Sequence, residues 1–287
     1  MIQDLGSLHF ENSYHNVRPT ADDRIISMSG GQILLGGEKQ DIAFPRFAEL
    51  SEGDRQGGDF TYLFAIGDDH FFLCRDMEAA GYRYVDTKAL RKCGPHSAVY
   101  AGLVGMQLAR WYEAHRFCGR CGAAMAADER ERMMRCPVCG QTEYPKICPC
   151  VIVGVIHEGK ILVSQYRGGS TDHYALIAGF AEVGETIEET AIREVYEETH
   201  LSIKNLRYYK CQPWPYSESL LFGFFAELDG AADIVIEEAE LAMAKWVTPE
   251  EIFETPDDFS LTNEMLCKFK EEGKRNPKII ETVRGNV

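Results

Sequence analysis

Hydrophobic residues in the first hundred positions form short runs separated by Gly- and Asp-containing turns, a pattern typical of β-strands. Three such runs are Ile33–Leu35, Tyr62–Ile66 and His70–Leu73. Between Pro95 and His115 the apolar residues recur at three- or four-residue steps, which predicts a helix. The residues that carry this spacing are Val99, Leu103, Met106 and Ala109. The first part of the chain is therefore predicted to be a small α/β domain.

From Cys148 onward the pattern is different. Val151–Ile156 is an almost continuous β-branched run, as expected of a strand that is buried on both faces. A Glu158-Gly159-Lys160 turn leads into a second apolar strand, Ile161–Gln165. Later helices are predicted at Ile187–Thr199 and Asp258–Glu272, and later strands near 205–211, 219–227 and 243–247. This order predicts a mixed α/β (α+β) fold and not a regular βαβ repeat.

Four cysteines mark a compact module between these two parts. Cys118-Gly-Arg-Cys121 and Cys136-Pro-Val-Cys139 are separated by 14 residues. Each C-x2-C turn can present two thiolates to one ion, and Zn²⁺ accepts four such ligands at about 2.3 Å. A structural zinc ion is predicted, because four thiolates leave no open position for catalysis; the alternative is four buried free cysteines. The predicted domains are residues 1–112, a zinc ribbon at 113–147 and residues 148–287.

Composition and charge narrow the classes of protein. The chain has 287 residues, of which 45% are hydrophobic, as in globular proteins. No run of 18 apolar residues and no basic leader is present, so we expect no transmembrane helix, no signal peptide and a cytoplasmic location. The net charge of -15 argues against non-specific nucleic-acid binding as the main role, whereas acidic residues suit a divalent cation.

An acidic cluster lies on the predicted helix Ile187–Thr199. Glu194, Glu197 and Glu198 share one face, because residues three and four positions apart are neighbours on a helix. The apolar face is marked by Ile187, Ala191 and Val195, with Ile192 beside them. A divalent cation would turn the repulsion between the glutamates into attraction. A solvated acidic face is the alternative, since exposed charge is the norm.

The segment Gly179–Leu201 resembles the box of the Nudix hydrolases, G-x5-E-x7-R-E-U-x-E-E-x-G-U with U aliphatic, at every defined position except one. His200 stands where the family has its last glycine, just past the helix, and histidine tolerates the left-handed backbone expected there. The resemblance implies an α/β/α sandwich with a mixed sheet, and Mg²⁺- or Mn²⁺-dependent hydrolysis of a phosphoanhydride. It also implies that Glu185 pairs with Arg193. The catalytic residues it implies are Arg193, Glu194, Glu197 and Glu198. The metal ligands it implies are these three glutamates, the Ala178 carbonyl and Glu240, with Glu237 and Glu238 as neighbouring candidates for the last.

Two further segments resemble the NADH pyrophosphatase (NudC-type) branch of this family, in which a zinc module precedes the catalytic domain. They are Tyr144–Pro149 and the array Cys211-Gln-Pro-Trp-Pro-Tyr-Ser-Glu-Ser219. The array departs from the branch pattern by a cysteine for serine at 211, a tyrosine for phenylalanine at 216 and a serine for proline at 217. The substrate-binding residues that the resemblance implies are Glu131, Tyr144, Phe180, Gln212, Pro213, Trp214, Pro215, Tyr216, Ser217, Glu218, Ser219 and Thr262.

Trp214 also has a physical interpretation. Its indole offers a face on which an adenine or nicotinamide ring can stack, and the flanking prolines stiffen the backbone that presents it. The alternative is a core tryptophan in a rigid turn.

The implied function is cleavage of NADH or NAD⁺ into nicotinamide mononucleotide and AMP by a homodimer, with no membrane partner. Removal of NAD caps from RNA is a second enzymatic role, and it needs a basic path beyond the pocket. Candidates for that path are Arg116, Arg120, Arg130, Arg132, Arg135 and Lys146. An ADP-ribose-type substrate and a non-catalytic nucleotide sensor are two more hypotheses. The QPWP array argues against the first, and the intact glutamates argue against the second.

Overall fold

The computed structural model describes residues 1–168, 174–237, 239, 241–252 and 259–275. The chain packs as two compact units, one formed by Gln3–Lys146 and the other by Met1–Ile2 together with Ile147–Val287. The cysteine module belongs to the first unit, so the finer three-part division stays a prediction. Within the described ranges, no helix combines the length and the apolar character that a membrane crossing requires.

The first unit is built around a seven-stranded sheet with the order β1-β5-β6-β2-β3-β4, in which β7 pairs with β3. The strands are β1 (Phe10–Glu11), β2 (Arg24–Ser29), β3 (Gln32–Glu38), β4 (Asp41–Ala43), β5 (Thr61–Ile66), β6 (Asp69–Arg75) and β7 (Arg83–Asp86). The helices are α1 (Glu52–Gly57) and α2 (His96–Ala114). The three predicted strands and the predicted helix of this region are therefore confirmed. Val99, Leu103 and Met106 of α2 are fully buried, which explains their helical spacing.

The cysteine module contains a small three-stranded sheet in the same unit. Its strands are β8 (Ala126–Ala127), β9 (Met134–Arg135) and β10 (Thr142–Glu143), in the order β10-β9-β8. Strands of two residues bury little apolar surface, so a metal is needed to stabilise such a module.

The second unit has a mixed sheet between helices. Its elements are β11 (Cys148–His157), β12 (Lys160–Tyr166), β13 (Ile177–Phe180), α3 (Ile187–Thr199), β14 (Ile203–Trp214), β15 (Ser219–Leu228), β16 (Leu241–Val247) and α4 (Leu261–Arg275). The described strands follow the order β14-β15-β11-β12-β16, with β13 on β11. The β11–β15 pair is parallel and the other pairs are antiparallel, so the sheet is mixed as predicted.

Alternating residues of β11 supply two different cores. Val151, Val153 and Val155 belong to the core that contains Ala191 and Val195 of α3. Ile152 and Ile156 belong to the core that contains Met265 and Phe269 of α4. Because successive side chains of a strand point to opposite faces, the two helices cover opposite faces of the sheet. The predicted α/β/α sandwich is confirmed.

Two details differ from the sequence prediction. Ile192 is 48% exposed, because it is rotated about 100° from Ala191 around the helix axis and so leaves the buried face. The last helix begins at Leu261, three residues later than predicted, and Asp258 lies outside the described residues.

Candidate active site

Both ends of α3 are fixed by local interactions. The Thr186 hydroxyl accepts a hydrogen bond from the Glu189 amide at 3.2 Å, and the Glu189 carboxylate accepts one from the Thr186 amide at 2.8 Å. This capping box satisfies backbone donors that would otherwise lack a partner. At the other end His200 has φ 57°, the left-handed conformation predicted for it, and its amide donates to the Tyr196 carbonyl at 2.7 Å. The helix therefore presents its glutamates from a defined start and end.

Arg193 organises three carboxylates. Its Nε and Nη2 donate to the two oxygens of Glu185 at 2.5 and 2.8 Å, a bidentate pair. Its Nη1 donates to Glu194 at 2.7 Å and to Glu197 at 2.9 Å. The Arg193 guanidinium lowers the pKa of Glu185 to about 2, and the Glu185 hydrogen bonds in turn raise the pKa of Arg193. The Glu185–Arg193 ion pair implied by the resemblance is present. Arg193 is held by Glu185 and in turn orients the carboxylates of Glu194 and Glu197.

Gly179 allows the Glu194 carboxylate to approach the backbone of β13. A Cβ at position 179 would lie 1.9 Å from Cδ of Glu194, so any side chain there would displace the carboxylate. The neighbouring Ala178 carbonyl accepts a hydrogen bond from the Tyr166 hydroxyl at 3.3 Å. Burial raises the pKa of Tyr166, and the charge of Glu198, which is only 2% exposed, raises it further. Glu194 therefore lies against the backbone of β13, and Glu198 interacts electrostatically with Tyr166, whose hydroxyl contacts the Ala178 carbonyl.

These groups fit a divalent cation. Carboxylate and carbonyl oxygens are the ligands that hard cations prefer, and a carboxylate as buried as Glu198 is accommodated by pairing or by metal coordination. The glutamates are more widely spaced than the cysteines, which form the only described group of three or more ligands whose atoms all lie within 4.8 Å. Glu240 lies outside the described residues. Glu237, its neighbour, is exposed and accepts a hydrogen bond from the Ala239 amide at 3.2 Å.

The four cysteines form the predicted zinc site. Cys118 and Cys139 place their sulfurs 3.5 Å apart, as do Cys121 and Cys136, and all four sulfurs lie within 4.8 Å of one another. A tetrahedron with bonds of about 2.3 Å has edges of about 3.8 Å, so this cluster has the right size for Zn²⁺. The Cys139 amide donates to the Cys136 sulfur at 3.4 Å and lowers the pKa of that thiol to about 6, which favours the thiolate that binds metal.

Gln212 has a different place from the one expected of a substrate contact. It is fully buried, its Nε2 donates to the Phe259 carbonyl at 2.7 Å, and its Oε1 accepts from the Leu261 amide at 2.7 Å. Both ends of the side-chain amide are therefore engaged by backbone, and Gln212 holds the start of α4 against β14. Thr262, a predicted contact residue, is the next residue of α4 and is partly buried.

The rest of the array covers the end of β14, the turn at residues 215–218 and the first residue of β15. Trp214 is partly buried, and its ring centroid lies 5.4 Å from that of Tyr216. Glu218 has φ 58°, and its carbonyl accepts from the Cys148 amide at 2.8 Å, which fixes the turn to β11. The remaining members differ in exposure: Pro213 is partly buried, Pro215 and Ser219 are buried, and Ser217 is exposed. This turn presents two aromatic rings from a stiff backbone.

One row of residues across the sheet connects this turn to the glutamates. Phe180 pairs with Cys150, Cys150 with Leu221, and Leu221 with Gln212. Three strand spacings of about 4.8 Å place the outer two backbones about 14 Å apart. Phe180 is 52% exposed, and its carbonyl accepts from Arg193 Nη2 at 3.0 Å. The array and the acidic cluster therefore lie at the same end of one sheet.

Glu131 and Tyr144 meet in the first unit. The Tyr144 hydroxyl donates to Oε2 of Glu131 at 2.9 Å, this hydrogen bond raises the pKa of Tyr144, and both residues are exposed. Two of the basic residues proposed as a path for RNA form ion pairs within this unit. Arg116 pairs with Glu113 at 3.3 Å and Arg135 with Asp128 at 3.7 Å. Arg132 was also a candidate for that path. Its guanidinium instead donates to Asn12 and to the Leu63 carbonyl inside the unit, so its role is structural.

Two residues of the site were not found from the sequence. The Tyr166 hydroxyl reaches Ala178 from 12 positions earlier in the chain, and no spacing rule indicates that contact. Thr190 is fully buried, and its hydroxyl donates to Oε2 of Glu185 at 2.9 Å. The sequence signal for this contact was the position of Thr190 on the first turn of the helix, five residues after Glu185.

The Glu185–Arg193 pair predicts a pH-dependent stability. The folded pKa of Glu185 is about 2 and its ordinary value is 4.5, so the pair stabilises the fold fully above about pH 4.5 and loses its effect as the pH falls toward 2. The melting temperature of Glu185→Gln should therefore lie below that of the wild type at pH 7, and the difference should narrow below about pH 4.5. Thermal scans at several pH values test this, with the exposed Glu188→Gln as control. A gap that does not change with pH would contradict it.

Comparison with known proteins places both parts of this arrangement in one family. The NUDIX domain model matches residues 149–269, and the model of the NADH pyrophosphatase zinc ribbon domain matches residues 113–144. The NAD-capped RNA hydrolase NudC of Edwardsiella ictaluri is 41% identical over 174 residues, which are 58% of this chain and 67% of that protein. The NudC of Salmonella schwarzengrund is 45% identical over 142 residues, 50% of this chain and 55% of that protein.

The matched segment spans about half to two thirds of the length of these curated relatives. A crystal structure of a NUDIX hydrolase from Nitrosomonas europaea aligns with a TM-score of 0.48 and 23% identity, covering 56% of this chain and 93% of that one. The two model matches cover the capped helix, its glutamates and the four-cysteine site. The chain therefore belongs to the Nudix family, in the branch that carries the NADH pyrophosphatase zinc ribbon.

Proposed function

We propose that this protein hydrolyses the pyrophosphate bond of NADH or NAD⁺ to nicotinamide mononucleotide and AMP, using Mg²⁺ or Mn²⁺. The observation that carries the proposal is the set of carboxylates braced by Arg193 beside the close approach of Gly179 and Glu194. The zinc ion is assigned a structural role, because four thiolates occupy all its positions.

Each residue of the cluster has a defined task in this reaction. Glu194, Glu197, Glu198 and the Ala178 carbonyl would hold the divalent cations, with Glu240 as a further ligand. When bound, these ions neutralise charge on the diphosphate and lower the pKa of a water molecule. Arg193 keeps the glutamates oriented and cannot act as the base, because its pKa is raised by Glu185. Water attacks one phosphorus in line while the bond between that phosphorus and the bridging oxygen breaks, and the second mononucleotide leaves with the bridging oxygen. The proton of the water passes to the coupled carboxylates, which titrate as a group.

The array is the proposed site of the dinucleotide. Trp214 and Tyr216 offer ring faces for a base, at a distance along the sheet that leaves room for a diphosphate at the glutamates. Gln212 contributes by holding α4, where Thr262 lies, and not through its own amide. Pro213, Pro215, Ser217, Glu218 and Ser219 shape the turn. Glu131, Tyr144 and Phe180 remain proposed contacts.

Removal of NAD caps from RNA is the second candidate, and the name shared by the NudC relatives favours it. The bond cut is the same, so the glutamate cluster serves both substrates. The engagement of Arg116, Arg132 and Arg135 inside their own unit leaves fewer free charges for an RNA chain. A homodimer and a cytoplasmic location stay predictions.

A substrate panel tests the proposal. NADH, NAD⁺, ADP-ribose and NAD-capped RNA are incubated with the zinc-loaded protein and Mg²⁺ or Mn²⁺, and products are identified by mass spectrometry. We expect nicotinamide mononucleotide and AMP in equal amounts from the dinucleotides. A kcat/KM more than about tenfold higher for ADP-ribose would replace the proposed substrate, since tenfold is about 1.4 kcal/mol of transition-state preference. Tight binding without any turnover would favour the nucleotide sensor.

A further inference from the structure

The loop 128–133 of the cysteine module is closed by its own backbone. The Asp128 carboxylate accepts hydrogen bonds from the amides of Arg130 at 2.9 Å and Glu131 at 3.3 Å. The Asp128 amide donates to the Met133 carbonyl at 2.9 Å, and the Met133 amide donates to the Glu131 carbonyl at 2.8 Å. Glu131 is thus part of a compact turn whose backbone is closed by hydrogen bonds. A contact that holds another residue of this turn therefore also restrains Glu131.

Arg132 connects this turn to the N-terminal sheet. Its Nη1 donates to Oδ1 of Asn12 at 2.7 Å, and its Nη2 donates to the carbonyl of Leu63. The register between β5 and β6 shifts between Tyr62 and Phe64, so Leu63 is the extra residue of a β-bulge. A bulge leaves backbone groups outside the ladder, and a buried carbonyl needs a donor. The guanidinium supplies one.

The Arg132 side chain is partly buried within the first unit. Burial lowers the pKa of Arg132, and electrostatic interactions with Tyr112, Tyr62 and Tyr14 oppose this effect. The Tyr14 hydroxyl also donates to the Asp128 carbonyl at 3.0 Å, which adds a second link between the N-terminal segment and the same loop. An arginine placed in this way cannot be exchanged for lysine without loss, because only its fork reaches two acceptors.

We propose that Arg132 is a positioning residue that fixes Glu131 for the substrate by fastening loop 128–133 to the bulge of β5. The two residues are consecutive and their side chains have different surroundings: Arg132 reaches into the sheet, while exposed Glu131 accepts from Tyr144. This inference rests on the proposed function, in which Glu131 contacts the dinucleotide.

Steady-state kinetics of Arg132→Met test the inference. The KM for NADH should rise about 10-fold while kcat stays within about twofold, because a binding contact is loosened and the carboxylates of α3 are unchanged. If Arg132 acts through Glu131, the double variant with Glu131→Gln should have a KM within about twofold of that of Glu131→Gln alone. Arg18→Met, which removes an exposed charge from the same unit, is the matched control, and zinc content is measured for each variant.

A second variant and a second measurement do not depend on catalysis. Asn12→Ala changes an exposed residue and removes one of the hydrogen-bond acceptors of Arg132. It should also raise the KM for NADH, by a smaller factor than Arg132→Met. Amide hydrogen exchange in residues 128–133 should accelerate in Arg132→Met and not in Arg18→Met. An unchanged KM, additive effects with Glu131→Gln, or unchanged exchange overturns the inference while the proposed function stands. Absence of NADH hydrolysis by the wild type removes the proposed function and the inference with it.

Discussion

Glu198→Gln should lower kcat for NADH hydrolysis by about 10³-fold, because the metal ligands of such sites contribute several kcal/mol of transition-state stabilisation. Glu198 is 2% exposed, follows Glu194 by about one helical turn, and interacts electrostatically with Tyr166, whose hydroxyl donates to the Ala178 carbonyl. Glutamine has nearly the same shape but no charge, so the helix and its core should be preserved. Saturating Mg²⁺ or Mn²⁺ should not restore the rate.

The control for this prediction is Glu188→Gln, an exposed glutamate on the same helix, which should keep wild-type kinetics. Circular dichroism and the melting temperature establish that both variants are folded. Activity of Glu198→Gln within about tenfold of the wild type at saturating metal would exclude Glu198 as a ligand, since loss of a ligand costs more than that.

Elements defined by local patterns were predictable from the sequence. Helix α3 begins and ends where it was predicted, because the Thr186–Glu189 capping box and the left-handed His200 are signals within the segment itself. The cysteine cluster was predictable for the same reason, since its two C-x2-C turns are local. The α/β/α arrangement followed only in part from the continuous β-branched run of β11, which predicts a strand buried on both faces; the family resemblance supplied the rest.

Contacts between distant segments were not predictable. The sequence does not record which carbonyl a β-bulge leaves outside its ladder, so the role of Arg132 at Leu63 was hidden among the basic residues of the module. Gln212 was assigned to the substrate because its motif was recognised, but its burial depends on where α4 begins, 49 residues later. Helix starts without a strong capping signal are the least certain boundaries, which also explains the shift of α4.

Gly179→Ala should reduce activity while leaving the fold almost as stable as before. The added Cβ would lie 1.9 Å from Cδ and 2.1 Å from Oε2 of Glu194, distances that two non-bonded heavy atoms cannot maintain. The carboxylate is the far end of a flexible side chain, so it can move aside at little cost to folding. Displacement of a catalytic group by about 1 Å can cost about 10²-fold in rate, and we expect a fall in kcat of that order with a higher Mg²⁺ requirement.

The comparison that isolates this effect is Gly57→Ala in α1, where an added Cβ meets nothing within 4 Å. Both substitutions change the unfolded chain in the same way, so a difference between them reports on the folded site. Melting temperatures should stay close to that of the wild type for both variants, whereas only Gly179→Ala should lose activity. Wild-type kcat and metal dependence in Gly179→Ala would mean that the Glu194 carboxylate does not need its place against β13, and the metal assignment of Glu194 would then be wrong.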